Sequence, residues 1–124
     1  MSPQPIVFIV DDDKAVRDAV HLLCEAHGLQ VESYASAQAF LDSYAPDREG
    51  CLVLDICMPK MDGLELQAHL AAHQIELPII FITAYSSNDK VKLARNAGAL
   101  DILEKPFQPD VLIDRIRTAF KSTK

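Results

Sequence analysis

CLVLDICMPKMDG, running from Cys51 to Gly63, is the stretch whose reading settles the architecture. Its first four residues are apolar, with Val53 β-branched, and the run stops on a carboxylate, Asp55. Such a run predicts a short strand buried on both faces, as in parallel sheets. A lone carboxylate is costly to bury, so Asp55 is expected where the strand leaves the core. Met58-Pro59 ends regular structure, because proline lacks an N–H and pushes its predecessor out of the α region. Asp62-Gly63 reads as a turn, and a helical pattern follows from Leu64.

Working outward, the same unit recurs. IVFIV (residues 6–10) is an apolar run that stops on Asp11-Asp12-Asp13, and Val16, Ala19/Val20, Leu23 and Ala26 then repeat at helical spacing. Asp13 suits the N-cap of that helix, and Gly28 its end. Residues 29–35 (LQVESYA) alternate as a strand with one exposed face, and Ser36 caps a short helix carrying Ala37, Phe40, Leu41 and Tyr44. After the central stretch, a helix over 64–73 turns Leu66 and Leu70 inward. LPIIFI then leads to Thr83 at the end of a further buried strand. Residues 88–97 form a helix with a thin apolar seam of Val91, Leu93, Ala94 and Ala97. Residues 100–104 form a last strand ending on Lys105-Pro106, and 110–121 a helix with Leu112, Ile113, Ile116 and Phe120 inward. Five strand–helix units in strict alternation imply right-handed crossovers and helices on both faces of a parallel sheet. The expected fold is a doubly wound α/β domain of strand order 2-1-3-4-5.

Bulk properties bound the function. A chain of 124 residues is the size of one domain, and 49% hydrophobic residues suffice for one core. The formal net charge of −6 argues against nucleic acid or an anionic membrane as a partner. The N-terminal residues have neither the basic region of a signal peptide nor the length of a membrane span. Cys24, Cys51 and Cys57 are an odd number without a CxxC pair, which reads as reduced thiols in a cytoplasmic protein.

In a sheet of this order the C-terminal strand ends share one edge, and ligands bind at the switch point between strands 1 and 3. That edge collects Asp11, Asp12, Asp55, Thr83 and Lys105, whereas Asp13 reads as a helix cap. Three crowded carboxylates repel one another unless a cation joins them, and an all-oxygen donor set suits Mg²⁺. Metal and Lys105 together invite an anion with several oxygens. A phosphoryl group fits, with Lys105 and the Thr83 hydroxyl on two of its oxygens, Ala84 leaving room for it, and Asp55 as nucleophile.

These motifs, the acidic pair Asp11-Asp12 after IVFIV, LDICMPKMDG around Asp55, FITA ending in Thr83-Ala84, and EKPF with Lys105-Pro106, resemble the receiver domain of two-component response regulators. The resemblance covers essentially residues 3–122 and leaves no output domain in this chain. DDDKAVRDAV, SAQAFL and GCLVLD look most like the nitrogen-fixation type (LuxR-class), in which a helix-turn-helix DNA-binding domain usually follows. The resemblance implies that Asp55 accepts phosphate from a phosphohistidine on a sensor histidine kinase. It implies that Asp12, Asp55 and the Cys57 carbonyl ligate Mg²⁺, that Asp11 acts mainly through water, and that Thr83 and Lys105 bind phosphoryl oxygens. It also implies a cis Lys105-Pro106 bond. The output surface would be the face of helix 4, strand 5 and helix 5, a candidate for phosphorylation-dependent homodimers and for transcriptional control through the absent domain. One position departs: Ile102 stands where receivers usually carry an aromatic that swings inward, and isoleucine has no ring to bury. Tyr85 is a candidate substitute, or a shield for the acyl phosphate.

Rival readings are weaker. A redox role for Cys57 lacks a nearby base or second cysteine in the sequence. Glu65, His69 and His73 share a helix face with zinc-like spacing, although a solvated face explains them. An aspartate-nucleophile phosphatase needs a second aspartate two residues after the first, where Cys57 stands. A degenerate receiver that binds without phosphate does not require all five edge residues.

Overall fold

The computed structural model describes residues 4–45, 48–84 and 89–122. Five strands, β1 (Ile6–Val10), β2 (Gln30–Tyr34), β3 (Gly50–Asp55), β4 (Ile79–Thr83) and β5 (Asp101–Glu104), alternate with five helices. These are α1 (Lys14–Ala26), α2 (Ala37–Ser43), α3 (Gly63–Ala72), α4 (Asp89–Asn96) and α5 (Pro109–Ser122). The strands form one parallel sheet in the order β2-β1-β3-β4-β5, the topology expected from the alternation.

Side chains alternate across a strand, so the apolar runs serve two cores at once. Phe8, Val10, Leu52, Leu54 and Phe81 face α2, α3 and α4, which contribute Phe40, Leu66, Leu70 and Ala94. Val7, Ile9, Cys51, Val53, Ile80 and Ile82 face α1 and α5, which contribute Val20, Cys24, Leu112 and Ile116. The edge strand β2 has no fully buried residue. Its Glu32 is instead held by the Arg48 guanidinium, which lies over the Phe8 ring at 5.2 Å.

Local chemistry sets the helix ends. The Asp13 carboxylate accepts the Ala15 N–H at 2.9 Å and caps α1, as expected. Asp62-Gly63 is more than a turn. Asp62 caps α3, accepting from Glu65 N–H at 2.9 Å, while the Glu65 carboxylate accepts from Asp62 N–H at 3.1 Å, a reciprocal capping box. Gly63 is required by contact: a Cβ there would lie 2.5 Å from the Asp55 carbonyl oxygen and 2.9 Å from Ile56 Cα. Gly63→Ala is therefore expected to destabilise the domain by about 2 kcal/mol or more, against about 1 kcal/mol regained in helix propensity. Urea unfolding measures this, and an unchanged midpoint would contradict the contact.

The α4 seam needs correction. Val91 and Ala94 are buried, but Leu93 is 58% exposed and Ala97 is exposed as well. A helix of eight residues is too short for periodicity to settle which face turns inward. The stripe on α5 is Leu112, Ile113, Ile116 and Ala119, with Phe120 only partly buried.

Candidate functional site

Strand register brings the edge residues together. Val10 pairs with Leu54, so Asp11 and Asp55 stand one residue further along neighbouring strands. Asp55 pairs with Ile82, placing Thr83 just beyond it, and Thr83 pairs with Glu104, after which comes Lys105. The Lys105 N–H donates to the Thr83 carbonyl at 2.7 Å, and the Lys105-Pro106 bond is cis.

Both strand-end carboxylates are more deeply placed than a lone acid should be. Asp11 is fully buried and Asp55 is 6% exposed, whereas Asp12 is exposed. Their burial is compensated from β5, since Lys105 Nζ lies 3.0 Å from Asp11 Oδ2 and 3.4 Å from Asp55 Oδ2. Asp11 Oδ1 accepts the Asp13 N–H at 2.9 Å, and Asp55 Oδ1 accepts the Cys57 N–H at 3.2 Å. Arg17, on the second turn of α1, donates Nη1 to the Asp11 carbonyl at 2.8 Å. Thr83 is buried at the end of β4.

Carboxylate oxygens of Asp11, Asp12 and Asp55 all lie within 4.8 Å of one another, and among the described residues no other His, Cys, Asp or Glu group does so. Burial, then the charge on Asp11, pushes the Asp55 carboxyl up to about 6, with Lys105 and the Cys57 N–H pulling the other way. Burial pulls the Lys105 ammonium down, but its hydrogen bond to Asp11 and the charges of Asp55 and Asp11 outweigh this and hold it above its ordinary value. The cluster therefore still carries uncompensated negative charge. Hard oxygen donors at this spacing fit a small divalent cation.

Other candidates separate from the edge. Glu65 is occupied by the capping box, and the His69 and His73 rings stack at 4.2 Å without joining a ligand cluster. Cys24 and Cys51 are buried, their thiols pushed up to about 11 and 12 by desolvation, so both are inert. Cys57 is exposed. Ile102 is buried in the same core cluster as Val91 and Ala94. Tyr85 and residues 86–88 lie outside the described residues. The roles of Arg17 and of Lys90, which reaches Asp62, were not visible in the sequence. The D-x-x-E spacing at Asp62 and Glu65 was the one available signal.

Beside the site runs an apolar groove of about 810 Å³ between α1 and the β5–α5 loop, lined by Ala15, Ala19, Leu22, Lys105, Pro106 and Phe107 among others. Leu22 is 66% exposed there. No described helix is long and apolar enough to cross a membrane.

The sheet order and its acidic edge define a doubly wound α/β domain with an oxygen-donor site at the topological switch point. Residues 7–117 match the response regulator receiver domain family, and the chain belongs to that family, the signal-accepting modules of two-component systems. The response regulator protein TmoT of Ectopseudomonas mendocina is 42% identical over 118 residues, 95% of this chain and 54% of that protein. The transcriptional regulatory protein FixJ of Bradyrhizobium diazoefficiens is 36% identical over 124 residues, 100% of this chain and 60% of that protein. The crystal structure of FixJ-N aligns with a TM-score of 0.90 at 38% identity, covering 99% of this chain and 98% of that one. The expected likeness to the nitrogen-fixation type is thus borne out. The chain spans about half the length of the curated relatives it matches.

Proposed function

We propose that this domain is a phosphorylation-activated switch in which Asp55 accepts a phosphoryl group from a phosphohistidine of a sensor histidine kinase. The observation that carries this reading is the convergence of Asp11, Asp12 and Asp55 within 4.8 Å, with Lys105 bridging two of them. An Asp55 oxygen attacks phosphorus while the bond to the leaving imidazole nitrogen breaks. Asp12, Asp55 and the Cys57 carbonyl would hold Mg²⁺, with Asp11 acting through water, and the ion would supply charge neutralisation for the crowded oxygens. The Lys105 ammonium moves from Asp55 to a phosphoryl oxygen, and the Thr83 hydroxyl takes another. The domain catalyses only this transfer and the hydrolysis of its own acyl phosphate.

Binding of the phosphoryl group by Thr83 and Lys105 shifts a two-state population and resets the face formed by α4, β5 and α5. Leu93 and Leu100, 58% and 37% exposed, give that face the apolar surface of a phosphorylation-dependent homodimer. The groove along α1, which Lys105 also lines, suits a kinase helix. Output is transcription through a DNA-binding domain beyond residues 3–122, and the work is cytoplasmic. The domain itself, with its formal net charge of −6, takes no nucleic acid.

Intact mass after incubation with acetyl phosphate and Mg²⁺ tests the reading: one added phosphoryl group, lost without Mg²⁺, is expected, and no addition overturns it. Lys105→Ala should keep the fold by circular dichroism, yet leave the phosphorylated and unphosphorylated forms alike in self-association. A variant that still dimerises on phosphorylation would remove Lys105 from the relay.

A further inference from the structure

Ile102 is 9% exposed and already belongs to the core cluster that includes Val91 and Ala94, so this position holds no exposed side chain to swing inward. Polar contacts instead join α4 to α3 at both ends. Lys90 Nζ, in the first turn of α4, reaches Asp62 Oδ2 at 3.2 Å, with the Asp62 side chain only 20% exposed. Near the other end, Gln67 Nε2 donates to the Ala94 carbonyl at 3.2 Å, a bond buried at both partners. Lys90 and Ala94 are four residues apart and share a face of α4. Since α4 buries only Val91 and Ala94, apolar contact alone holds it weakly, and a shift of α4 would orphan the Gln67 amide inside the protein.

The α3 end of these contacts is fixed to the site. The Gly63 N–H donates to the Ile56 carbonyl at 2.8 Å, closing the loop that starts at Asp55. The Gly63 Cα packs so tightly on the Asp55 carbonyl that no Cβ fits between them. Asp62, the cap of α3, stands directly before this glycine. A change in the backbone at Asp55 or Ile56 is therefore passed through Gly63 to the carboxylate that holds Lys90.

We propose that Asp62–Lys90 and Gln67–Ala94 form a latch that holds α4 in its resting position and couples Asp55 to the α4–β5–α5 face through α3. The coupling half rests on Asp55 being the phosphoacceptor; the holding half does not.

Hydrogen exchange of the α4 amides in the unphosphorylated protein tests the latch. Asp62→Ser keeps an oxygen to cap α3 but removes the carboxylate charge that Lys90 meets there, and Lys90→Met keeps the aliphatic stem. Each should speed α4 exchange about two- to fivefold, and the double variant no more than either alone. Gln67→Leu should speed it about tenfold. Lys90→Arg should stay near the parent rate. Unchanged exchange, or additive effects of the Asp62 and Lys90 changes, overturns the latch. With trifluoroberyllate (a phosphoryl mimic) and Mg²⁺, the releasing variants should bind about two- to fivefold more tightly, because less resting state opposes binding. Faster exchange with unchanged affinity overturns the coupling. A parent protein that does not bind trifluoroberyllate refutes the phosphoacceptor reading and the coupling with it, while the exchange cycle still decides whether the latch holds α4.

Discussion

Asp55→Asn is expected to gain no phosphoryl mass from acetyl phosphate and Mg²⁺, a loss of at least about a thousandfold in labelling, because an amide is a poor nucleophile where a carboxylate is a competent one. Persistent labelling would place the acceptor elsewhere. The same variant should unfold differently with pH. Burial, then the charge on Asp11, pushes the native Asp55 carboxyl up to about 6 from its ordinary value of 3.8. A raised carboxyl contributes stability at low pH that is lost as pH rises through 6, so the parent protein without Mg²⁺ should be least helped by this group at neutral pH. Asp55→Asn should accordingly be stabilised over the parent above pH 6, on the order of 1 kcal/mol once solvent screening is allowed for, with the difference vanishing below pH 4. Melting temperatures measured from pH 4 to 8 in chelator check the sign. A parent protein stabilised by raising the pH relative to Asp55→Asn would contradict it.

Asp12→Ala should weaken Mg²⁺ binding by at least about a hundredfold, since one of three carboxylates and its charge are removed from the donor set. Asp12 is the informative choice because it is exposed. Asp11 is fully buried, holds Lys105 and accepts the Asp13 N–H, so its removal would disturb packing and metal binding together. The chain has no tryptophan, so calorimetric titration is the suitable measurement. Asp12→Ala should melt within a degree or two of the parent in chelator but lose the stabilisation that saturating Mg²⁺ confers. An unchanged Mg²⁺ affinity would exclude Asp12 from the ligands.

Much of this arrangement was legible in the order of residues. The run IVFIV is β1 to the residue, and the apolar stretch before Asp55 is β3 extended by Gly50. Such runs are short, continuous and punctuated by acid, proline or glycine, signals that act within a few residues. Boundaries moved by one residue at each end of β2, where the signal was alternation, because an edge strand is covered unevenly on both sides. They moved by two at the start of β4, where Leu77-Pro78 precede the strand. The assignment of Leu93 to the inside of α4 failed for want of helix length.

The expectation that Asp55 would sit at the exit from the core followed correctly from the cost of burying one charge, and it was too simple. Asp55 is separated in sequence by 50 residues from the ammonium beside it, and Asp11 by 94 residues from the same group. Local pattern established five strand–helix units, their order, and the set of residues that leave the sheet at one edge. Tertiary structure decided which cation compensates which carboxylate, that Asp62 serves α4 as well as α3, and that Ile102 is buried. The physical reason is range: backbone propensity and hydrophobic period act over one or two turns, whereas charge compensation and helix-to-helix hydrogen bonds exist only once the register of the sheet has brought distant residues within about 3 Å.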